Sequence, residues 1–270
     1  MHDFISIGSS LVDMFIHSDK FKVDDLDGEN RFVLQGDKVD IESFVVRIGG
    51  GGANTATGFT RLGFDAAVIS ETGKDDFANV IFRNLQKNRV DTSLIIKEKR
   101  EITGGSVILV SGNGRRTVMV HRGAASMLDS FDISPYRLTK ARWVHLSSIS
   151  GRLETLKRIF ELVKVNPELK LSWNPGSKEL ALLADGKINI EEIPCLILFL
   201  NAKEWELVRK QQKQLIKEIP QIVVTKGAEG GEVYIHGEKS LKFFGAKSKS
   251  VDDTGAGDAF ATGYVAGQYA

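Results

Sequence analysis

Short runs of apolar residues recur along the chain and alternate with segments whose apolar positions repeat at helical spacing. The runs have the length of buried strands, and they are Phe4 to Ile7, Ala66 to Ile69, Trp143 to Leu146, Leu169 to Trp173, Cys195 to Leu200 and Ile222 to Thr225. Helical spacing is clearest in Leu153, Leu156, Ile159, Phe160 and Val163, and in Phe77, Val80, Ile81 and Leu85. This alternation predicts an α/β fold in which helices cover a mostly parallel sheet.

Two further stretches, 31–47 and 106–120, have β character but stand outside the alternation. In the second, Asn113-Gly114 lies between two apolar halves, which is a strong signal for a β-hairpin. The two stretches are predicted to form a small separate sheet. The neighbouring Arg115 and Arg116 are interpreted as part of a solvated turn at the hairpin tip.

The composition indicates a globular protein that acts on a small molecule. The 270 residues carry a net charge of +1, with 42% hydrophobic and 26% charged residues, so neither disorder nor a nucleic-acid-binding surface is indicated. The length favours one sizeable α/β domain with an appendage. The single cysteine, Cys195, excludes an internal disulfide and a cysteine-rich metal site. No apolar stretch approaches the ~20 residues of a membrane span, and no signal-peptide pattern begins the chain, so we expect a cytoplasmic location.

The segment DDTGAGDAF, from Asp252 to Phe260, is typical of an anion-binding turn at the start of a helix. Glycines let backbone N–H groups approach an anion, and the helix N-terminus adds about half a positive charge. Asp258 would lie beside the bound group, where its carboxylate can accept the proton of an attacking hydroxyl. Taken alone, the segment also fits an Asp-capped glycine turn.

Two other motifs carry side chains suited to binding. The glycine run Gly49 to Gly52 lies between a β-like run and a segment of helical spacing, which favours a turn over a flexible linker and places Asn54 near a helix start. Further along, Asn201 and Glu204 fall at the start of one predicted helix. A helix cap and an oxygen-ligand site for Mg²⁺ both fit that spacing.

In their order along the chain, these motifs resemble those of the ribokinase-like (PfkB) family of sugar and nucleoside kinases. The matching segments extend through nearly the whole chain and are Asp13, GGGGAN followed by Arg61-Leu62-Gly63, Asn201-x-x-Glu204, Thr225-Lys226-Gly227 and DTGAGD. The resemblance implies a single kinase domain with a three-layer α/β/α fold, a mostly parallel central sheet and a small β-sheet lid from about 31–47 and 106–120. It also implies ATP-dependent phosphoryl transfer to a hydroxyl of a small sugar, with a nucleoside as the alternative acceptor.

The same resemblance implies roles for individual residues. Asp258 would be the general base, and the backbone amides of Gly255, Ala256 and Gly257 would form the anion hole. The implied acceptor site consists of Asp13, Gly49, Gly50, Gly51 and Asn54. The implied ATP side consists of Asn174, Asn201, Glu204, Thr225, Gly227 and Gly230. Mg²⁺ would be held by Asn201 and Glu204 through water, K⁺ by Asp252 and Thr254, and two subunits would pair through the lid.

Other protein classes fit the sequence less well. No G-x-G-x-x-G follows the first strand and no G-x-x-x-x-G-K-[ST] occurs, which argues against a dinucleotide-dependent oxidoreductase and a P-loop enzyme. The intact Asp258 and its flanking glycines disfavour a non-catalytic, ligand-binding relative. Ribokinases usually carry Lys where this chain has Gly51, so ribose itself is not implied. Kinases of the family continue beyond the equivalent of Ala270, and the C-terminal part of the fold is therefore expected to be missing here.

Overall fold

A computed structural model describes residues 1–26, 29–33, 38–98, 100–246 and 253–270. Its strands are β1 His2–Ile7, β2 Leu11–Ser18, β3 Lys22–Leu26, β4 Glu29–Val33, β5 Ser43–Gly49, β6 Ala66–Ile69, β7 Glu71–Thr72, β8 Ile96–Lys97, β9 Gly105–Ser111, β10 Arg116–His121, β11 Ala141–Leu146, β12 Lys170–Trp173, β13 Ile197–Asn201, β14 Gln221–Thr225, β15 Gly231–Ile235 and β16 Glu238–Phe243. Its helices are α1 Gly51–Arg61, α2 Asp76–Lys87, α3 Pro135–Leu138, α4 Leu153–Lys164, α5 Ser177–Ala184, α6 Ala202–Leu207, α7 Gln212–Glu218 and α8 Ala256–Tyr269.

The large sheet has the strand order β16-β15-β14-β13-β12-β11-β1-β6. The strands from β14 to β6 are all parallel, and each coincides with one of the six apolar runs, so the predicted mostly parallel sheet is confirmed. Strands β15 and β16 extend it as an antiparallel edge that the sequence analysis did not predict.

Helices cover both faces of this sheet and make the predicted three layers. On one face, Phe4 of β1 stacks on Phe59 of α1 with ring centroids 3.9 Å apart, and α8 packs into the same cluster through Ala261 and Val265. On the other face, α4 buries Leu156, Ile159, Phe160 and Val163 of its predicted helical repeat against the sheet, and Leu153 is partly buried there. The first of these clusters fixes α1 and α8 side by side over one face, which brings their N-terminal turns together.

The small sheet, defined here as β10-β9-β2-β5, is separate from the large one as predicted. Strands β9 and β10 form the predicted hairpin. The sequence analysis missed β2, because the polar Asp13 and His17 interrupt its apolar pattern. Of the stretch 31–47, only the part from Ser43 onward joins the small sheet. Strand β4 pairs instead with β3 in a two-stranded ribbon. Residues 34–37 lie outside the described part.

The carboxyl ends of the parallel strands meet along one edge of the large sheet, and ligands of open α/β sheets bind beyond such an edge. Register pairs there place Ile7 beside Leu146 and Asn201 beside Thr225. The predicted motifs Asn174, Asn201 and Thr225 therefore all lie at this edge. Within the described ranges, no helix has the length and apolar character needed to span a bilayer.

Candidate active site

Asp258 lies in the first turn of α8, directly after the glycine turn. Gly255 introduces the helix in the left-handed conformation, with φ of 77°, which a glycine adopts without steric cost. The Asn54 side-chain amide donates to Asp258 Oδ2 over 2.8 Å. Burial raises the pKa of the Asp258 carboxyl, and the hydrogen bond from Asn54 acts in the opposite direction. The carboxylate is therefore positioned by one donor and made more basic by its surroundings, as a proton acceptor requires.

The turn before α1 requires glycine because polar groups approach its backbone closely. A Cβ at Gly49 would lie 1.8 Å from Asp13 Oδ2, and a Cβ at Gly51 would lie 2.6 Å from Ser147 Oγ. A Cβ at Gly51 would also lie 3.7 Å from Asp258 Oδ1. The backbone of this turn consequently lies close to the Asp13 carboxylate at Gly49 and to the Asp258 carboxylate at Gly51.

Asp13 reaches this turn from β2 of the small sheet. Ser106 of β9 lies beside it in register, and its hydroxyl donates to Asp13 Oδ1 over 2.5 Å. Burial raises the pKa of Asp13, while the Ser106 hydrogen bond lowers it. The oriented carboxylate can accept hydrogen bonds from a hydroxylated ligand.

A cavity of about 590 Å³ opens between the small sheet and helices α1 and α8, and it is called the α1–α8 cavity below. Of the residues predicted to form the site, its lining contains Asp13, Gly49, Asn54, Thr254, Gly255 and Asp258. Gly50, Gly51, Ala256 and Gly257 belong to the adjoining turns but not to that lining. The carboxylates of Asp13 and Asp258 are 245 positions apart in the sequence, yet they line the same cavity.

The sequence analysis missed further lining residues on one side of α1. Thr57, Gly58 and Arg61 follow Asn54 at intervals of three, four and seven residues, and they face the cavity with it. That spacing is the signature of one helix face, so extending the helical pattern from Asn54 would have found them. Asn84 of α2 and Thr262 of α8 also line the cavity, and neither belongs to a recognisable motif.

The anion turn, defined as Gly255 to Gly257, precedes Asp258 at the N-terminus of α8. The Ala256 N–H donates to the Asp253 carbonyl, which stabilises the turn and gives this amide an internal partner. Of the three predicted amides, that of Ala256 is therefore engaged within the turn itself.

Arg116 of β10 reaches the same turn from the small sheet. Its Nη1 donates to Thr254 Oγ1 over 2.7 Å, and its Nη2 donates to Asp253 Oδ1 over 2.8 Å. Arg116 is 41% exposed, as a solvated turn predicts, but the fold also brings it to partners 137 and 138 positions along the chain, which the sequence did not indicate.

The predicted ATP-side residues lie at the carboxyl edge of the large sheet, away from the lining of the α1–α8 cavity. The Asn174 amide donates to the Phe199 carbonyl over 3.0 Å. Asn201 and Glu204 cap α6 reciprocally, each side chain accepting from the other's backbone N–H. Thr225 ends β14, and Gly227 and Gly230 form the turn that follows, closed by the Lys226 N–H on the Gly230 carbonyl.

Burial raises the pKa of Glu204, and its bonds to Asn201 lower it. The described residues contain no group of three or more His, Cys, Asp or Glu side chains placed to hold a metal. Glu204 and Asn201 thus fit a Mg²⁺ ion that retains waters and is bound chiefly by phosphate oxygens.

Thr254 Oγ1 already accepts from the Arg116 guanidinium, whose positive charge disfavours K⁺ on that oxygen. Asp252, the other predicted K⁺ ligand, lies outside the described residues.

Comparisons with known proteins cover almost the entire chain. Residues 1–269 match the model of the pfkB family carbohydrate kinases. Deoxyribokinase of Salmonella typhi is 25% identical over 266 residues, which are 96% of this chain and 83% of that protein. Fructokinase of Escherichia coli is 28% identical over 240 residues, covering 81% of this chain and 76% of that protein.

A solved structure shows the same fold. The putative Ribokinase II from E. coli, determined in complex with ATP and Mg²⁺, superposes with a TM-score of 0.78 at 20% sequence identity. The alignment covers 99% of this chain and 86% of that one. The predicted ribokinase-like architecture is confirmed by this likeness.

Proposed function

Because the chain belongs to the pfkB family of carbohydrate kinases, we propose that it transfers the γ-phosphoryl group of ATP to a hydroxyl of a small sugar, with Asp258 as the general base. The family confirms the predicted enzyme class, a carbohydrate kinase. Asp13 and Asp258 line one cavity beside the N-terminus of α8, and this arrangement supports transfer to a hydroxyl bound between them.

Asp258 has the position and the environment of a general base. Its Oδ2 accepts from Asn54, so Oδ1, which faces the Gly51 backbone, is the oxygen assigned to the proton of the attacking hydroxyl. As the hydroxyl oxygen forms a bond to phosphorus, the bond from phosphorus to the leaving ADP oxygen breaks, and the proton passes to Asp258. A positioned base of this kind typically contributes ~10²- to 10⁴-fold to the rate.

The acceptor is oriented from the small sheet. Asp13 accepts hydrogen bonds from sugar hydroxyls, while Ser106 holds its carboxylate in place. Asn54 contacts Asp258 and lines the same cavity, so it can hold the reacting hydroxyl near the base. Positioning of both reactants is the largest part of catalysis in phosphoryl transfer, because little covalent chemistry is left to the protein.

The transferring phosphoryl group binds at the anion turn. Backbone N–H groups at a helix N-terminus stabilise developing negative charge in a site that excludes water. ATP would extend from there along the sheet edge past Asn174, Asn201, Thr225, Gly227 and Gly230. Mg²⁺, held by Glu204 and Asn201 through water and by the nucleotide phosphates, would neutralise phosphate charge when bound.

The proposal is tested by measuring ADP formation from ATP over an acceptor panel of ribose, deoxyribose, fructose, 2-keto-3-deoxygluconate, adenosine and cytidine. We expect acceptor-dependent turnover with one sugar at least tenfold above both nucleosides. Preferential turnover with a nucleoside would establish the alternative acceptor class. Binding without turnover of any acceptor would show a non-catalytic relative and contradict the proposal.

Pairing of two copies through the small sheet is part of the proposal. Val46, Met14, Val107 and Met119 form one row across its four strands, on the face opposite Asp13. Val46 is 40% exposed and Met119 51%, and Phe44, two residues from Val46 on the same face, is 57% exposed. An apolar row of this kind favours burial in an interface. Phe44→Glu should convert a dimer to a monomer in sedimentation-velocity experiments; a monomeric parent protein would contradict the pairing.

A further inference from the structure

The α1–α8 cavity has its two carboxylates on separate structural units. Asp13 belongs to the small sheet, whereas Asp258 belongs to α8, which packs on the large sheet. Phosphoryl transfer needs the acceptor and the transferring group in contact, so the two units have to be held at a defined distance. A residue that joins them directly would control that distance.

Arg116 makes such a connection from a hydrogen-bonded hairpin. Strand β10, which it begins, pairs with β9, and β9 pairs with the strand that carries Asp13. At the hairpin tip the Ser111 N–H donates to the Arg115 carbonyl over 3.0 Å, and the Gly114 N–H donates to the Ser111 carbonyl over 2.8 Å. Arg116 therefore projects from a fixed backbone position of the small sheet.

The partners of Arg116 lie immediately before the anion turn. The planar guanidinium donates through two different nitrogens to the Asp253 carboxylate and the Thr254 hydroxyl, which fixes its direction as well as its distance. Asp253 places a negative charge next to a site for a phosphoryl group, and the guanidinium offsets that charge. The contact thus joins the acceptor-binding sheet to the turn that receives the phosphoryl group.

We propose that Arg116 is a positioning residue that closes the small sheet over the α1–α8 cavity by binding Asp253 and Thr254, so that closure over the acceptor also shapes the anion turn. This role rests on the proposed kinase function. The Arg116 side chain is 41% exposed and that of Asp253 is 72% exposed. Exposed ion pairs are weak, so the contact can open for product release and re-form in the next cycle.

Kinetic variants test the coupling with ATP and D-fructose as probes. Arg116→Ala should lower kcat/KM for fructose about tenfold and raise the ratio of ATP hydrolysis to sugar phosphorylation by a similar factor, because an open site admits water. Arg116→Lys keeps the charge without the two-nitrogen fork and should recover part of the loss. Arg158→Ala removes a positive charge from α4, on the face of the large sheet opposite α8, and should remain within about twofold of the parent protein.

A double-mutant cycle separates the contact from general effects. The double variant Arg116→Ala/Asp253→Ala should lower kcat/KM for fructose no further than Arg116→Ala alone, because both substitutions remove the same interaction. Multiplicative losses, or a hydrolysis ratio that stays at the parent value in Arg116→Ala, would overturn the positioning role.

A distance measurement tests the contact without any ligand or turnover. Spin labels at Asn113→Cys on the hairpin and Lys213→Cys on α7 report the separation of the small sheet from the core, while the native Cys195 is buried and unreactive. Arg116→Ala should broaden the distance distribution and Arg158→Ala should not. Identical distributions would overturn the proposal. If fructose and the other acceptors gave no turnover, the proposed function would fail, and this measurement alone would decide whether Arg116 holds the sheet.

Discussion

The side-chain amide of Asn54 donates to Asp258 Oδ2 over 2.8 Å and joins the first turns of two helices that lie 204 residues apart in the chain. The hydrogen bond stabilises the ionised carboxylate, because an amide N–H interacts more strongly with an anion than with a neutral acid. It therefore orients the Asp258 carboxylate and partly offsets the rise in its pKa that burial causes.

Replacing Asn54 by Leu should move the pH dependence of the reaction. Without the donor, the pKa of Asp258 rises further, because burial then acts without opposition. The acid limb of the kcat/KM profile should shift to higher pH, with kcat/KM at neutral pH reduced about tenfold or more. The profile is measured from pH 5 to 9. An unchanged acid limb would show that Asn54 does not govern the titration of Asp258.

Gly49→Ala should weaken acceptor binding with little effect on folding. The new Cβ would fall 1.8 Å from Asp13 Oδ2, so the carboxylate has to move away from its Ser106 partner. We expect KM for the acceptor to rise about tenfold or more, since Asp13 is no longer oriented. Gly267→Ala is a matched control: it lies on α8 with open space around its Cβ, and it should leave KM unchanged. Equal KM values for the two variants would contradict the placement of Asp13.

Much of the fold could be predicted from the sequence because the central strands are buried on both faces and appear as continuous apolar runs. Strands β15 and β16 form the edge of the sheet, and β2 contains Asp13 and His17, so their patterns are weaker. The pair Asn201 and Glu204 could also be predicted, because a reciprocal helix cap depends only on residues three positions apart.

Parts of the site that depend on distant segments could not be predicted in this way. Nothing in the hairpin sequence specifies that Arg116 contacts Asp253, because the contact follows from how the small sheet sits over α8. The orientation of Asp13 by Ser106 likewise arises from strand pairing across 93 positions. The family motifs identified Asp13 and Asp258 individually, and the folded chain brings them to one cavity.

Glu71→Gln should stabilise the protein at alkaline pH. Burial raises the pKa of Glu71, and a hydrogen bond with Glu98 and the negative charge of Asp132 add to the rise. The pKa reaches about 8, against about 4.5 for an unperturbed Glu. The folded state therefore binds a proton that the unfolded state has lost, and stability falls as pH rises from about 4.5 toward 8. The neutral amide avoids this loss.

Thermal unfolding of Glu71→Gln measures the effect directly. The Tm advantage over the parent protein should be several degrees at pH 8 and should shrink toward pH 5. Glu154→Gln, an exposed surface change, serves as the control for loss of a carboxylate. A Tm difference that is constant between pH 5 and pH 8 would show that Glu71 carries no shifted proton.

Glu179→Gln should destabilise the loop at the end of β11. The buried carboxylate accepts from the backbone N–H groups of Ile149, Gly151 and Gly176, over 2.8, 2.8 and 3.0 Å. An amide side chain has one acceptor oxygen for these donors, so at least one buried N–H loses its partner, at a cost of about 1–3 kcal/mol. Denaturant unfolding would measure the change. The exposed Glu161→Gln should be near neutral, and an equal effect of both variants would contradict this role.

Single-turnover phosphoryl transfer by Asp258→Asn tests whether Asp258 is the general base. With the preferred acceptor and ATP both saturating, the variant should transfer the phosphoryl group ~10²- to 10⁴-fold more slowly than the parent protein. Its Tm and its affinity for the acceptor should stay close to the parent values, since Asn conserves the shape of the side chain. Transfer at a rate within a fewfold of the parent protein would contradict the assignment.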